Sequence, residues 1–336
     1  MSDPGELAWQ DVAEPDLRGA GEALVRPLAV ATCDLDGPIV RGETPLRGPI
    51  ALGHECVATV LETGADVRSV ARGDTVVIPF QISCGDCDRC RRGLTGSCER
   101  VAPTSMYGFG AVGGDWGGML ADVVRVPYAD AMLVPVPAGV DPVAVASASD
   151  NLPDAWRTVA PHLRAQPGAA VLVLGGGARS IGLYAVAIAR ALGAGEVVYI
   201  DSDPGRLATA ADLGADVLDG EPPQRTERAF PIVVDAGAAR ASLACACRST
   251  APGGTCTHVG ILYEGETPVP LFEMYATGIR LDVGRAMARA AIEPVLALVK
   301  DGGLAPERVT DAVLAWDDAP QALLRPHTKL VFARET

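Results

Sequence analysis

A basic excess is the first thing this 336-residue chain lacks: 28 Lys and Arg stand against 42 Asp and Glu, a net charge of −14. Phosphate contacts need a basic surface, so the balance argues against a nucleic-acid binder, and an acidic, well-hydrated exterior is expected. A long apolar run is also missing. The best stretch, from Ala131 to Ser149, is broken by Pro135, Pro137, Asp141 and Pro142, and does not span a bilayer. The N-terminal MSDPGELAW has neither a basic start nor an apolar core, so it does not read as a signal peptide. Internal repeats and low-complexity tracts are absent, the nearest approach being the polar surface loop EPPQRTER at 221–228. Histidine is scarce, with four in all, and His162, His258 and His327 lack partners at ligand spacing and read as ordinary surface or core residues.

What is present is an ordinary globular composition, 49% hydrophobic and 21% charged, in a chain long enough for two domains. The nine cysteines are odd in number and partly clustered, which favours reduced thiols in a cytoplasmic protein over a disulfide framework. Four of them, Cys84, Cys87, Cys90 and Cys98, are spaced C-x2-C-x2-C-x7-C inside ISCGDCDRCRRGLTGSC. Short gaps let three sulfurs converge and the longer one returns the fourth. That is the pattern of a closed tetrahedral zinc site, which staples a lobe (84–98) and leaves no position for substrate. Arg89, Arg91 and Arg92 are expected to offset the net charge of the thiolate cluster. Cys56, Cys245, Cys247 and Cys256 read as small buried apolar residues.

The chain changes character near residue 150. Before it, short apolar runs such as VATVLETG and DTVVIPF alternate with turn residues, a β-rich pattern. After it, the strand VLVL from Val171 enters a glycine cluster, GGGARSIG, and a helix with Ile181, Ala185, Ile188 and Leu192 on one face. Strand VVYI ends at Asp201; a helix around Leu207–Leu213, strand IVVD at 232–235, a helix near 239–250, strand THVGI at 257–261 and LDVG at 281–284 follow. Such alternation predicts an α/β doubly wound parallel sheet covered on both faces. A last helix, IEPVLALVKDG, and a closing strand, KLVFA, are expected to rejoin the first lobe.

The glycine cluster sits between a strand and a helix, with Asp201 beyond it at the end of the second strand. In that context it reads as a dinucleotide loop, with Gly175, Gly177, Ser180, Ile181 and Gly182 as the residues nearest a pyrophosphate. Arg179 stands where a strict G-x-G-x-x-G counted back from Gly182 needs glycine, so the turn carries two extra residues. Asp201 can accept hydrogen bonds from an adenosine ribose and, with Asp203, repels a 2′-phosphate, which favours NAD over NADP. Arg206 and Arg179 are the opposing observation, since either can pair with that phosphate or be a solvated loop charge.

A second metal site has to come from scattered residues. Cys33 in ATCDLDG, His54 in LGHEC and Asp150 in SASDNLPDAW offer a thiolate, an imidazole and a carboxylate, a donor set that neutralises zinc and leaves a fourth position open. Each has an ordinary alternative: a buried thiol, a core histidine, a helix cap.

With these residues in view, the chain resembles the zinc-dependent medium-chain dehydrogenases, the alcohol dehydrogenase family. The resemblance rests on the four-cysteine lobe, Gly53-His54-Glu55, GDTVVIPF, GGMLADVVRVP and VVDAGA…APGGTCTHVG, and it covers nearly the whole chain. It implies a GroES-like catalytic domain from residues 1–149 and 286–336 and a Rossmann domain at 150–285. It further implies that Cys33, His54 and Asp150 hold the working zinc, that Glu55 is an acid behind the metal able to visit it, and that Val259 and Gly260 contact the nicotinamide. A homodimer or homotetramer joined through the nucleotide domain is implied as well, with TPVPLF at 267–272 as an edge.

The expected activity is hydride transfer between a nicotinamide cofactor and an alcohol, aldehyde or ketone. One departure weighs against a simple copy of the family. Members usually read C-x-[ST]-D-x-H after the first ligand and relay a proton through the hydroxyl and the histidine. Here Leu35 and Pro38 stand at those positions and only Asp36 remains. Thr32, Asp34 or a water path are the substitutes. The gap supports a second reading, reduction of a conjugated C=C bond in an enone. A third is a non-catalytic nucleotide-binding protein in which Glu55 closes the metal site.

Overall fold

The structure is a computed structural model and describes residues 1–335. Its strands, in chain order, are β1 (Ala23–Ala31), β2 (Glu55–Thr63), β3 (Thr75–Ile78), β4 (Val124–Val126), β5 (Val134–Pro135), β6 (Val171–Leu174), β7 (Val197–Asp201), β8 (Asp216–Asp219), β9 (Phe230–Asp235), β10 (Thr250–His258), β11 (Arg280–Val283), β12 (Ala312–Ala315) and β13 (Leu330–Ala333). They form two sheets. The chain divides into two compact units, the first from Met1–Pro153, Ala286–Gly302 and Thr310 onward, the second from Asp154–Arg285 and Gly303–Val309. These limits differ from the sequence reading at 150–153, which cluster with the first unit, and at 303–309, which cluster with the second. In that last segment Leu304 and Val309 are buried and Arg308 donates to the Asp212 carbonyl. Among the described residues no helix is long and apolar enough to cross a membrane.

In the first unit the sheet runs β12-β13-β1-β2-β3-β5, with β4 also on β1. β1 is the hub. One of its edges pairs along its length with β2; the other is shared, Ala23–Val25 facing β4 and Ala29–Ala31 facing β13. Pro27 has no N–H to give a ladder, and the β1–β2 register shifts beside it, between Pro27 and Ala29. The closing strand KLVFA therefore does rejoin the first lobe, as β13 on β1. The apolar core gathers Val25, Val30, Ile78, Phe80, Met119, Met132 and Phe332.

In the second unit every pairing is parallel and the order is β8-β7-β6-β9-β10-β11. Numbered within the unit this is 3-2-1-4-5-6, the doubly wound order in which the chain reverses direction between its first and fourth strands. β6 and β7 are buried throughout, as their unbroken apolar sequences require. Two elements depart from the sequence reading. β8 is an edge strand with all of its residues exposed, and its two apolar residues between aspartates give no period to detect. β10 ends at His258, so Val259, Gly260 and Ile261 belong to the loop that follows.

Candidate metal centres and dinucleotide loop

The sulfurs of Cys84, Cys87, Cys90 and Cys98 lie within 4.8 Å of one another, and the Cys84 and Cys90 sulfurs are 4.0 Å apart. Zinc–sulfur bonds of about 2.3 Å give tetrahedral edges of about 3.8 Å, so the four-thiol donor set fits that ion. Backbone N–H groups point at the sulfurs: Cys84 and Arg100 donate to Cys98 Sγ, Cys90 and Glu99 to Cys87 Sγ. The Glu99 and Cys90 N–H groups pull the Cys87 thiol down to about 6, whereas burial, helped by Asp86, pushes Cys84 up to about 11. Charge compensation differs from the sequence expectation. Arg89 pairs with Glu99, Arg92 with Asp88 and Arg100 with Asp86, so these arginines serve surface carboxylates and the sulfurs rely on the backbone.

The second cluster is assembled by the β1–β2 ladder. Ala31 is opposite Glu55, so Cys33, just past the end of β1, and His54, just before β2, meet at one end of the pair. Gly53 precedes His54 with φ +87°, and a side chain there would press on the Leu120 backbone nitrogen at 2.8 Å. Asp150 arrives by a separate device. Ser149 Oγ bonds both the N–H and the C=O of Cys56 on β2, and Ser149 O accepts from Phe80 N–H, which pins the turn beside His54.

One ligand atom from each of Cys33, His54, Glu55 and Asp150 falls within 4.8 Å of the others. Cys33 Sγ and His54 Nε2 are each 3.4 Å from Asp150 Oδ2. Tetrahedral zinc with these donors has S···O edges of about 3.5 Å and N···O edges of about 3.3 Å, so the spacing fits. His54 is fully buried, yet neither ring nitrogen has a hydrogen-bond partner. A buried imidazole left so is costly unless an electrophile satisfies it. Its ring is wedged by Phe109 and Phe80, with centroids 4.9 and 5.6 Å away.

Electrostatics concentrate negative charge there. Burial and then Asp150 push the Cys33 thiol well up. Burial lowers the His54 pKa, but Asp36, Asp150 and Glu55 together outweigh it and raise it. Burial lifts Glu55 to about 8 against the pull of Lys329. A bound dication reverses the cost of gathering these groups.

Behind the cluster, Asp36 is buried; its Oδ2 accepts from Cys33 N–H at 2.8 Å and its Oδ1 lies 3.8 Å from His54 Nδ1. It braces two donors rather than reaching solvent. Thr32 hydroxyl accepts the Leu330 N–H, and Asn151 donates to Asp34 at 3.3 Å. Lys329, which sequence reasoning missed, is fully buried at the mouth of β13, where its Nζ donates to Glu55 Oε2 at 3.0 Å and to the Thr32 carbonyl. No local signal marks it, since the contact spans most of the chain.

In the second unit the glycine cluster follows β6. A side chain on Gly175 would strike Asp201 Oδ2 and Tyr199 Oη, both at 2.3 Å. Gly177 and Ala178 donate to the carbonyls of Gly237 and Ala236, which locks this loop to the one after β9. The helix Arg179–Ala191 starts at the residue that breaks the motif, so Ser180 and Ile181 fall in its first turn. Gly182 lies one turn in, where a Cβ would come to 3.2 Å from Ala236 Cβ, and serves helix–strand packing.

Asp201 accepts from Arg206 through both oxygens at 2.7 Å, from Tyr199 Oη at 2.7 Å and from Asp203 N–H at 3.0 Å. Burial would raise its carboxyl, but Arg206 and Tyr199 overcome that and hold it below the usual range. Val259 N–H donates to Asp235 O, and Gly260 packs on Ala238 with 2.6 Å between its would-be Cβ and Ala238 Cα. His258, read from sequence as ordinary, pairs with Asp235 at 2.7 Å, both buried. Trp116 packs against the first unit's core with the Arg125 guanidinium 5.7 Å from its ring, so it serves loop packing.

Comparison with known proteins adds the following. Residues 19–138 match the alcohol dehydrogenase GroES-like domain and residues 180–301 the zinc-binding dehydrogenase domain. The chain is 30% identical over 320 residues to a "probable zinc-binding alcohol dehydrogenase" of Mycobacterium tuberculosis, covering 94% of this chain and 81% of that one. It is 34% identical over 229 residues to a glutathione-independent formaldehyde dehydrogenase of Pseudomonas aeruginosa, covering 64% of this chain and 56% of that protein. Among solved structures, the alcohol dehydrogenase of Thermus sp. ATN1 superposes with a TM-score of 0.91 at 30% identity, over 100% of this chain and 99% of that one.

Proposed function

The chain belongs to the zinc-dependent medium-chain dehydrogenase/reductase family, and from that membership we propose how its residues divide the work of an oxidoreductase acting on alcohols and aldehydes. The first unit is the catalytic domain and the second the dinucleotide domain, a division that the two sheets and the two family matches support. Cys33, His54 and Asp150 hold the working zinc, and Cys84, Cys87, Cys90 and Cys98 hold a second zinc that does no chemistry. The observation that carries this is the buried imidazole of His54, unbonded at both nitrogens and 3.4 Å from Asp150. When bound, zinc supplies Lewis acidity to a substrate oxygen and nicotinamide supplies or takes the hydride.

The chain's own residues do the rest. Asp36 fixes the Cys33 backbone and faces the imidazole of His54. Lys329 holds Glu55 Oε2 while Glu55 still offers an oxygen to the cluster, the placement of an acid that can visit the metal and give way to substrate. Phe80 and Phe109 give the cluster an apolar, water-poor flank. NAD is the favoured cofactor. Arg206 is held in two bonds by Asp201 and lies 3.6 Å from Asp203, so two carboxylates face one guanidinium where a 2′-phosphate would have to bind. A ribose diol has to displace one donor on Asp201, whose lone pairs are all engaged. All nine cysteines are free, which supports a reducing, cytoplasmic setting.

A reading as an enone reductase is supported by one observation: Leu35 and Pro38, at the positions of the relay hydroxyl and histidine, carry no transferable proton. NADH oxidation against aldehydes, ketones and conjugated enones, with products identified by NMR, separates the two. Reduction at the carbonyl supports dehydrogenase chemistry; reduction only at the alkene overturns it. Asp150→Ala is expected to remove one of two zincs by elemental analysis, and loss of both or neither defeats the ligand assignment.

A further inference from the structure

We propose that His258, oriented by Asp235, is a cofactor-binding residue whose Nε2 accepts a hydrogen bond from a hydroxyl of the ribose that carries the nicotinamide. This rests on the dinucleotide reading above and adds to it a residue that reading did not use. His258 is the last residue of β10 and lies directly opposite Asp235, the last residue of β9, in the parallel ladder. The register puts the two side chains on the same face, and Nδ1 meets Asp235 Oδ2 at 2.7 Å. Asp235 is fully buried and its other oxygen accepts the Gly237 N–H at 3.1 Å, so the carboxylate is fixed at both ends. Arg157 grips the same edge from outside, donating to the His258 carbonyl at 3.2 Å and the Gly284 carbonyl at 2.7 Å.

This is more construction than a core histidine needs. With Nδ1–H given to Asp235, the tautomer is set and the Nε2 lone pair faces away from the carboxylate. Among the described residues Nε2 has no partner, and the side chain keeps a residual exposure of 6%. A nearly buried acceptor of this kind is satisfied by a ligand or by water.

Location selects the ligand. Dinucleotides bind outside the carboxyl ends of the strands at the point where the sheet order reverses. Here that point lies between β6 and β9, where Gly177 and Ala178 are bonded to Gly237 and Ala236. Asp201 at the end of β7 marks the adenosine side. The other nucleoside must then lie over the ends of β9 and β10, where Asp235 and His258 stand. That half of the molecule offers two kinds of donor, the carboxamide N–H and the ribose hydroxyls; the nicotinamide is expected at Val259 and Gly260, which leaves a ribose hydroxyl for the Nε2 acceptor.

The test compares binding of NADH, ADP-ribose and AMP to the wild-type chain, His258→Ala and His258→Gln by calorimetry. His258→Ala is expected to weaken NADH and ADP-ribose by about tenfold, the size of one lost hydrogen bond to a buried group, and to leave AMP within about twofold. Gln, whose side-chain oxygen is an acceptor at similar reach, is expected to restore most of the loss. Unchanged NADH binding by His258→Ala overturns the proposal, as does an equal loss for all three ligands, which marks a general effect on the unit. Weakened NADH with unchanged ADP-ribose overturns the hydroxyl assignment. A wild-type chain that binds no nicotinamide dinucleotide overturns the underlying reading and this proposal with it.

Discussion

Lys329 and Glu55 show how much a single side chain can decide. Both are fully buried, and Lys329 Nζ donates to Glu55 Oε2 at 3.0 Å. Removing one member of a buried hydrogen-bonded pair strands the other, at a cost that reaches about 3–5 kcal/mol where the stranded group is ionised, as Lys329 and Glu55 are together above the Glu55 value of about 8. Lys329→Ala should therefore lose stability on that scale in urea unfolding above about pH 8, and less at neutral pH, where Glu55 is protonated. The double variant Glu55→Gln/Lys329→Met, which removes both charges at similar volume, should recover at least half of it; a double variant as unstable as the single one would show that packing alone is at stake. Asp201 gives a pH-dependent counterpart. Its carboxyl is held below the unfolded value of about 3.9. A depressed acid contributes stability that is fully present above the unfolded pKa and is lost as pH falls through the folded one. The stability difference between wild type and Asp201→Asn should thus be level from neutral pH down to about 5 and shrink below about 4; a difference that grows on acidification would contradict the paired state.

At the scale of elements, the four-cysteine lobe is tied into its own unit by side chains outside it. In the lobe, Gly96 N–H meets Met287 Sδ and Gly96 packs against Gln81, which in turn bridges the Ala286 carbonyl and the Ala288 N–H. The lobe therefore steadies the start of the helix Ala288–Lys300. Replacing Cys98 with Ser should remove one zinc, leave the Cys33 centre metallated, and strip hydrogen-exchange protection from 84–98 and the first turn of that helix. Amides of β6, β7 and β9 should keep theirs, and their loss would show that the lobe supports more than its own unit. The same contrast explains what the sequence could disclose. VLVL, GGGARSIG and the cysteine spacing are local patterns, and they correspond to β6, the loop after it and the cluster of sulfurs. β8 was hidden because two apolar residues between aspartates carry no period. Lys329 and the Asp235–His258 couple were hidden for a different reason. Their meaning lies in strand pairing between distant segments, and nothing in the neighbouring residues encodes it.

At the scale of the whole molecule, the free edge of the six-stranded sheet is the feature that asks for a partner. β11 is its last strand; Val283 on it is exposed, as are Leu271, Phe272 and Tyr275 on the helix Leu271–Thr277 that precedes it in the chain, Phe272 by 81% and Tyr275 by 84%. An unpaired strand edge in a unit that also exposes large aromatic residues invites another chain. The other edge, β8, is blunted by Asp216 and Asp219. A second copy of this chain fits β11 by charge. If two copies pair antiparallel about a two-fold axis at Leu281, Arg280 of each faces Asp282 of the other, and both side chains are exposed. This makes the homodimer a proposal with a charge-swap test. Asp282→Arg places like charges opposite each other twice and should shift the chain toward monomer in sedimentation velocity. Arg280→Asp combined with Asp282→Arg restores opposite pairs and should restore the dimer. Phe272→Glu should weaken it in either background. Zinc content should stay the same throughout, because every proposed ligand lies in the first unit. A single charge reversal that leaves the dimer intact would mean that the copies meet elsewhere or in another register.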